Sequence, residues 1–211
     1  MIAVKDRAKK VLKILKKTYP EADCALVHKN PIQLLVSTIL SAQCTDKRVN
    51  IVTKDLFKKY QTAEDFASAK PYELEKEIKS TGFFRQKSKW IMGATLKIVT
   101  DFNGRVPKSM EELLTLPGVA RKTANVVLGT AYQIAAGIVV DTHVKRLAKR
   151  LGLTQNQDPV KVERDLVQIV PRQDWIWFSH ALITHGRQLC KALTPLCEKC
   201  PLSSICPSSK N

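Results

Sequence analysis

Four cysteines crowd the end of this sequence, Cys190, Cys197, Cys200 and Cys206, in the spacing C-x6-C-x2-C-x5-C. Four thiolates within 17 residues converge only by wrapping a common centre, because so short a loop cannot build a hydrophobic core. Structural zinc usually takes two close cysteine pairs, or cysteine mixed with histidine. Here one close pair is flanked by two single cysteines, and the tail holds no histidine. Pro201 and Pro207 follow directly after Cys200 and Cys206, as in many iron–sulfur loops. The spacing favours an iron–sulfur centre and leaves zinc open.

A second constellation lies at Leu116-Pro117-Gly118-Val119-Ala120-Arg121-Lys122-Thr123. Pro117-Gly118 is a turn signal, and the apolar run from Thr123 to Leu128 continues as a helix. A compact turn that opens a helix leaves backbone N–H groups unpaired and pointing outward. With the positive end of the helix dipole, those donors suit a phosphate oxygen. They carry no base information, so such a contact would hold nucleic acid without reading it. The same residues would also serve as a plain helix–turn–helix corner.

The elements that must position these residues read as helices almost throughout. Val4, Ala8, Val11, Leu12 and Leu15 form one apolar stripe among lysines, so residues 4–17 read as an amphipathic helix. Asn30-Pro31 and Asp158-Pro159 each pair a capping residue with proline at the first helical position. Ser109 and Glu112 have the spacing of a capping box. Asp141-Thr142 ahead of Val144 and Leu147 reads as a further cap. The Gly137–Val140 segment is apolar enough for a strand but too short to decide. The expectation is an all-α chain of about ten helices, whose helical pattern gives way near residue 187 to Cys, Pro and Ser.

Charge narrows the partner. Thirty-five Lys plus Arg against 19 Asp plus Glu leave +16 on 211 residues, which points to a polyanion, nucleic acid first among them. The N-terminus lacks a secretory pattern, and no apolar run is long enough to span a bilayer. These readings lead to the expectation of a cytoplasmic location with no membrane association, where reduced cysteines are the norm.

Four motifs then stand in the order of a known family. LPGVARKTANVVL resembles the helix–hairpin–helix of the endonuclease III family, and VVDTHVKRL resembles its catalytic aspartate segment. The cysteine tail is similar to its [4Fe–4S] loop, and Leu40-Ser41-Ala42-Gln43-Cys44-Thr45-Asp46 is similar to its gap-filling segment. The resemblance implies a two-lobed fold: a helical barrel over 23–133 with the hairpin motif at about 109–131. A second lobe would join 1–22 to 134–211 and carry the cluster loop at 190–206. It also implies a base-excision DNA glycosylase with abasic-site lyase activity, acting as a nucleoid-associated monomer. Its partner would be double-stranded DNA containing oxidised pyrimidines or abasic sites.

By position, the resemblance makes Lys122 the nucleophile and Asp141 its catalytic partner, with Cys190, Cys197, Cys200 and Cys206 holding a [4Fe–4S] cluster. A lysine amine can attack the sugar C1′, expel the base and leave a Schiff base that permits β-elimination. An enzyme working at C1′ has to swing the nucleotide out of the stack and fill the gap. The resemblance gives the gap to Gln43 and an apolar wedge to Phe83, in the turn Ser80-Thr81-Gly82-Phe83. It gives further DNA contacts to Gly118, Ala120, Arg121, Thr123 and His143. Arg85, Lys87, Lys145, Arg146, Lys191 and Lys199 are candidates for a phosphate track. Two positions depart from the family: Ala120 where glycine is frequent, and Phe83 where an aliphatic residue is frequent. Two rival readings are a monofunctional mismatch glycosylase for adenine or thymine, and a non-catalytic, metal-stabilised DNA-binding protein.

Overall fold

A computed structural model describes residues 3–209. The described residues are helical without strands, with eleven α-helices against the ten or so expected. The chain divides into two compact units: Cys24–Ile134, and the N-terminal helix up to Asp23 together with the chain from Ala135 onward.

The Cys24–Ile134 unit is organised on α2 (Pro31–Leu40), whose nine residues after the proline are all buried. A helix buried on every side belongs at the centre of its neighbours, and α3 (Asp46–Lys59) and α6 (Phe84–Phe102) pack on it. So does the helix that begins as α8 (Arg121–Val126) and continues as a π-helical turn over Val127–Ala131. Two short helices, α4 (Ala63–Ala67) and α5 (Pro71–Ile78), lie against α6, and α7 (Met110–Leu114) precedes the hairpin. Asn30 caps α2 by accepting the Gln33 N–H at 2.9 Å, with Pro31 as its first residue. Ser109 caps α7 through the Glu112 N–H at 3.2 Å. The Glu112 carboxylate takes the Ser109 hydroxyl at 2.8 Å, so the return half of the box runs through the hydroxyl.

The other unit packs α1 (Val4–Thr18), α9 (Thr142–Arg150), α10 (Pro159–Val167) and α11 (Trp175–Gln188) around one core. The α1 stripe of Ala8, Val11, Leu12 and Leu15 meets Leu147, Phe178 and Leu182 there. Gly137–Val140 is irregular, and the Val139 N–H is satisfied by the Ser179 hydroxyl at 3.0 Å. The tail follows α11 with two 3₁₀ turns, Cys197–Lys199 and Ser203–Ile205. It is anchored by Leu202, which is completely buried in this core.

Candidate active site

The hairpin has a defined geometry. The Val119 N–H reaches the Leu116 carbonyl at 3.1 Å and Gly118 has a φ of 74°. With proline before that glycine, this is the pattern of a type II turn. A Cβ on Gly118 would lie 2.6 Å from Cβ and Cγ of Trp90 on α6, so glycine is required twice, by conformation and by space. Gly118→Ala is therefore expected to cost about 1–3 kcal/mol in urea denaturation and to weaken DNA binding. An unchanged melt would show that the turn adapts. Ala120 has a φ of −95° and a ψ of 170°, ordinary extended backbone, so the departure from glycine there carries no strain.

Ala120 is the N-cap of α8 and supplies no side-chain hydrogen bond, so the capping side chain itself does not cover the amides of the first turn. Arg121 and Lys122 are exposed, and Thr123 is half-buried. The Lys122 ammonium has no hydrogen bond or ion pair among the described residues. A lysine with no internal partner on the rim of a phosphate-ready turn is available to a substrate. The π-helical turn that follows is a rare irregularity, of a kind that gathers at functional sites.

Gln43 and Phe83, in the same unit, share an unusual backbone. Each is exposed and each sits in the left-handed region, Gln43 at φ 52° and Phe83 at φ 48°. For non-glycine residues this conformation is uncommon, and for a bulky ring it is strained. Phe83 is 64% exposed, so the ring gains little burial in return.

The carboxylate lies in the other unit. Asp141 caps α9, its Oδ1 accepting the Val144 N–H at 2.8 Å; Oδ2 has no hydrogen bond among the described residues. His143 Nδ1 lies 3.2 Å from the Arg146 guanidinium. His180 on α11, absent from the sequence-based list, is buried close enough to feel Asp141. Burial pushes its imidazole below the ordinary value, Arg187 adds to that, and the carboxylates of Asp23 and Asp141 oppose it. Neither periodicity nor motif marks this histidine.

Two members of the expected phosphate track are spent internally. Lys87 is 1% exposed, with its ammonium donating to the carbonyls of Leu40 and Thr81, both at 2.8 Å. Arg146 donates to the carbonyls of Gly186 and Cys190, at 3.1 and 2.9 Å; it fastens the end of α11 to α9. Arg85, Lys191 and Lys199 are exposed and Lys145 is half-buried.

The four tail cysteines line one hollow. Among the described residues no three His, Cys, Asp or Glu side chains form a group that could hold a single metal ion, so the thiols border a space without meeting at a point. Burial pushes the Cys200 and Cys206 thiols up, and the neighbouring cysteines push the same way. Two nitrogen groups face the sulfurs: Arg150 donates to Cys190 Sγ at 3.3 Å, and His185 Nε2 lies 3.4 Å from Cys200 Sγ. Arg150 also holds the carbonyls of Lys191 and Ala192, each at 2.7 Å.

A glycine-dependent hairpin with a free lysine, in an all-helical chain, defines a class. Residues 36–172 match the HhH-GPD superfamily of base excision DNA repair proteins. Endonuclease III of Synechocystis is 57% identical over 210 residues, covering 100% of this chain and 96% of that one. A solved non-covalent endonuclease III–DNA complex is 44% identical, with a TM-score of 0.94 over 100% of this chain and 98% of that chain. A trapped endonuclease III–DNA covalent intermediate is 43% identical, with the same TM-score and coverage. The chain belongs to the endonuclease III family, and it is a base-excision repair DNA glycosylase and lyase.

Proposed function

We propose that the chain removes oxidised pyrimidines from duplex DNA and then cuts the strand at the abasic site, with Lys122 as nucleophile and Asp141 as its partner. The observation that carries this reading is the exposed, unpartnered Lys122 on the helix that opens from the Gly118 turn. The neutral Lys122 amine bonds to C1′ as the bond from C1′ to the base breaks, and the base leaves with the electron pair and a proton. Loss of the amine proton and opening of the sugar give a Schiff base. Removal of a C2′ proton then expels the 3′ phosphate, and water frees the lysine. Asp141 stabilises positive charge developing on the sugar. That a relative has been trapped as a covalent intermediate on DNA supports a covalent route.

In this reading the Cys24–Ile134 unit is the helical barrel with the hairpin motif, and the other unit is the cluster-bearing lobe. Gly118, Ala120, Arg121 and Thr123 hold a phosphate, His143 meets the strand beside Asp141, and Gln43 and Phe83 occupy the gap left by the everted nucleotide. The protein acts as a monomer, beside chromosomal DNA. No helix among the described residues is long and apolar enough to cross a membrane. The test is base release from three duplexes. Expected is excision of an oxidised pyrimidine such as thymine glycol, followed by strand cleavage; release of mismatched adenine or thymine alone, with an intact strand, would overturn the reading.

Cys190, Cys197, Cys200 and Cys206 would hold a [4Fe–4S] cluster. The donor set fits it: four thiols round one hollow, and the Arg150 and His185 nitrogens beside the sulfurs, where hydrogen bonds to cluster thiolates belong. When bound, such a cluster supplies cross-links that a coreless tail lacks, with no part in base removal. The purified protein is expected to be yellow-brown, with matching iron and sulfide content, and Cys197→Ser is expected to lose the colour. A colourless protein loaded with zinc would refute the cluster.

A further inference from the structure

We propose that Lys87 is a positioning residue: its buried ammonium joins the end of α2 to the turn before Phe83 and so fixes the distance between the two loops that carry Gln43 and Phe83. The proposal rests on the reading that those two side chains meet DNA. Leu40 is the last residue of α2 and stands three before Gln43; Thr81 ends a 3₁₀ turn and stands two before Phe83. One ammonium therefore closes two helical C-termini at once, each at 2.8 Å, where the carbonyl ends of helices favour a cation. Among the described residues this ammonium forms no ion pair with a carboxylate, and Cys44 is the titratable group whose charge it feels. Burial pushes the Lys87 amine below its usual range.

A buried ammonium without a counter-ion is a costly way to tie two loops, and an apolar side chain would fill the same space more cheaply. What the ammonium adds is direction, through two charge-assisted hydrogen bonds that set where each carbonyl lies. Both tethered loops then turn sharply outward through left-handed residues, Gln43 in one and Gly82 and Phe83 in the other. A strained backbone of this kind persists only where its surroundings fix it. Lys87 supplies that fixation from below while the two side chains remain exposed.

The test compares two DNA substrates. Lys87→Met keeps the length of the side chain and removes the donors. It is expected to lower excision of an oxidised pyrimidine from duplex DNA by about 10- to 100-fold, the scale of an ångström-level misplacement. Cleavage at a preformed abasic site, where no base leaves the stack, should stay within about threefold. Fluorescence of a 2-aminopurine placed beside the lesion should show less unstacking. Should Lys87→Met fail to fold, Lys87→Gln, which reaches one carbonyl but not both, carries the same comparison. Equal losses on both substrates, or no loss on either, would overturn the proposal. Gln43→Ala and Phe83→Ala separate the two levels. If they leave duplex excision unchanged, the reading that they meet DNA fails; if they lower it and Lys87→Met does not, only the role of Lys87 fails.

Discussion

Lys122→Ala is expected to abolish the covalent adduct that borohydride traps between the protein and DNA containing an abasic site, and to lower strand cleavage on the order of 10³-fold or more. The side chain is exposed and makes no hydrogen bond or ion pair among the described residues, and alanine is a good helix former, so the variant should melt within about 0.5 kcal/mol of the parent. DNA affinity should change little, since the outward amides of the hairpin remain. Loss of the adduct with stability and binding preserved would isolate the amine as the reacting group. An adduct of undiminished yield would move the nucleophile to another residue and remove the basis of the proposed chemistry.

The second large effect separates two jobs carried by one carboxylate. Asp141 caps α9 through Oδ1, and asparagine is an equally good cap. Asp141→Asn should therefore leave the melt nearly unchanged while base excision falls by about 10²- to 10⁴-fold, the range for loss of a positioned acid–base group. Asp141→Ala should lose the same activity and also about 1 kcal/mol of stability, the usual cost of a missing cap. Calorimetry beside single-turnover kinetics distinguishes them. If the asparagine variant retains full activity, Asp141 is a cap and nothing more.

Much of the fold was legible because its signals are local. A capping side chain acts within three residues, so Asn30, Ser109, Asp141 and Asp158 announce four helix starts that the fold contains. The stripe on α1 was readable for the same reason, since its period is fixed by helix geometry. What could not be read depends on contacts distant in sequence. Lys87 resembles any surface lysine until α2 and the Thr81 turn are folded against it, 47 and six residues away. Arg146 resembles a phosphate contact until the carbonyls at the end of α11 arrive. The left-handed backbone at Gln43 and Phe83 has no local signature, because neither residue type prefers it. The same holds for the π-helical turn after α8, and for His180, which is one apolar-face residue among several on α11.

The nine residues of α9 tie together parts of the molecule that do different work. Its first turn is fastened to Asp141, while Arg146 and Arg150 along its length grip the end of α11 and the start of the tail. A helix this short has little intrinsic persistence and survives through its neighbours. The carboxylate and the cysteine-rich tail therefore belong to a single cooperative block, in which amide protons at both ends should exchange through the same opening event. Chemical attack on the tail would then be felt as disorder at the carboxylate, with no signal needing to travel.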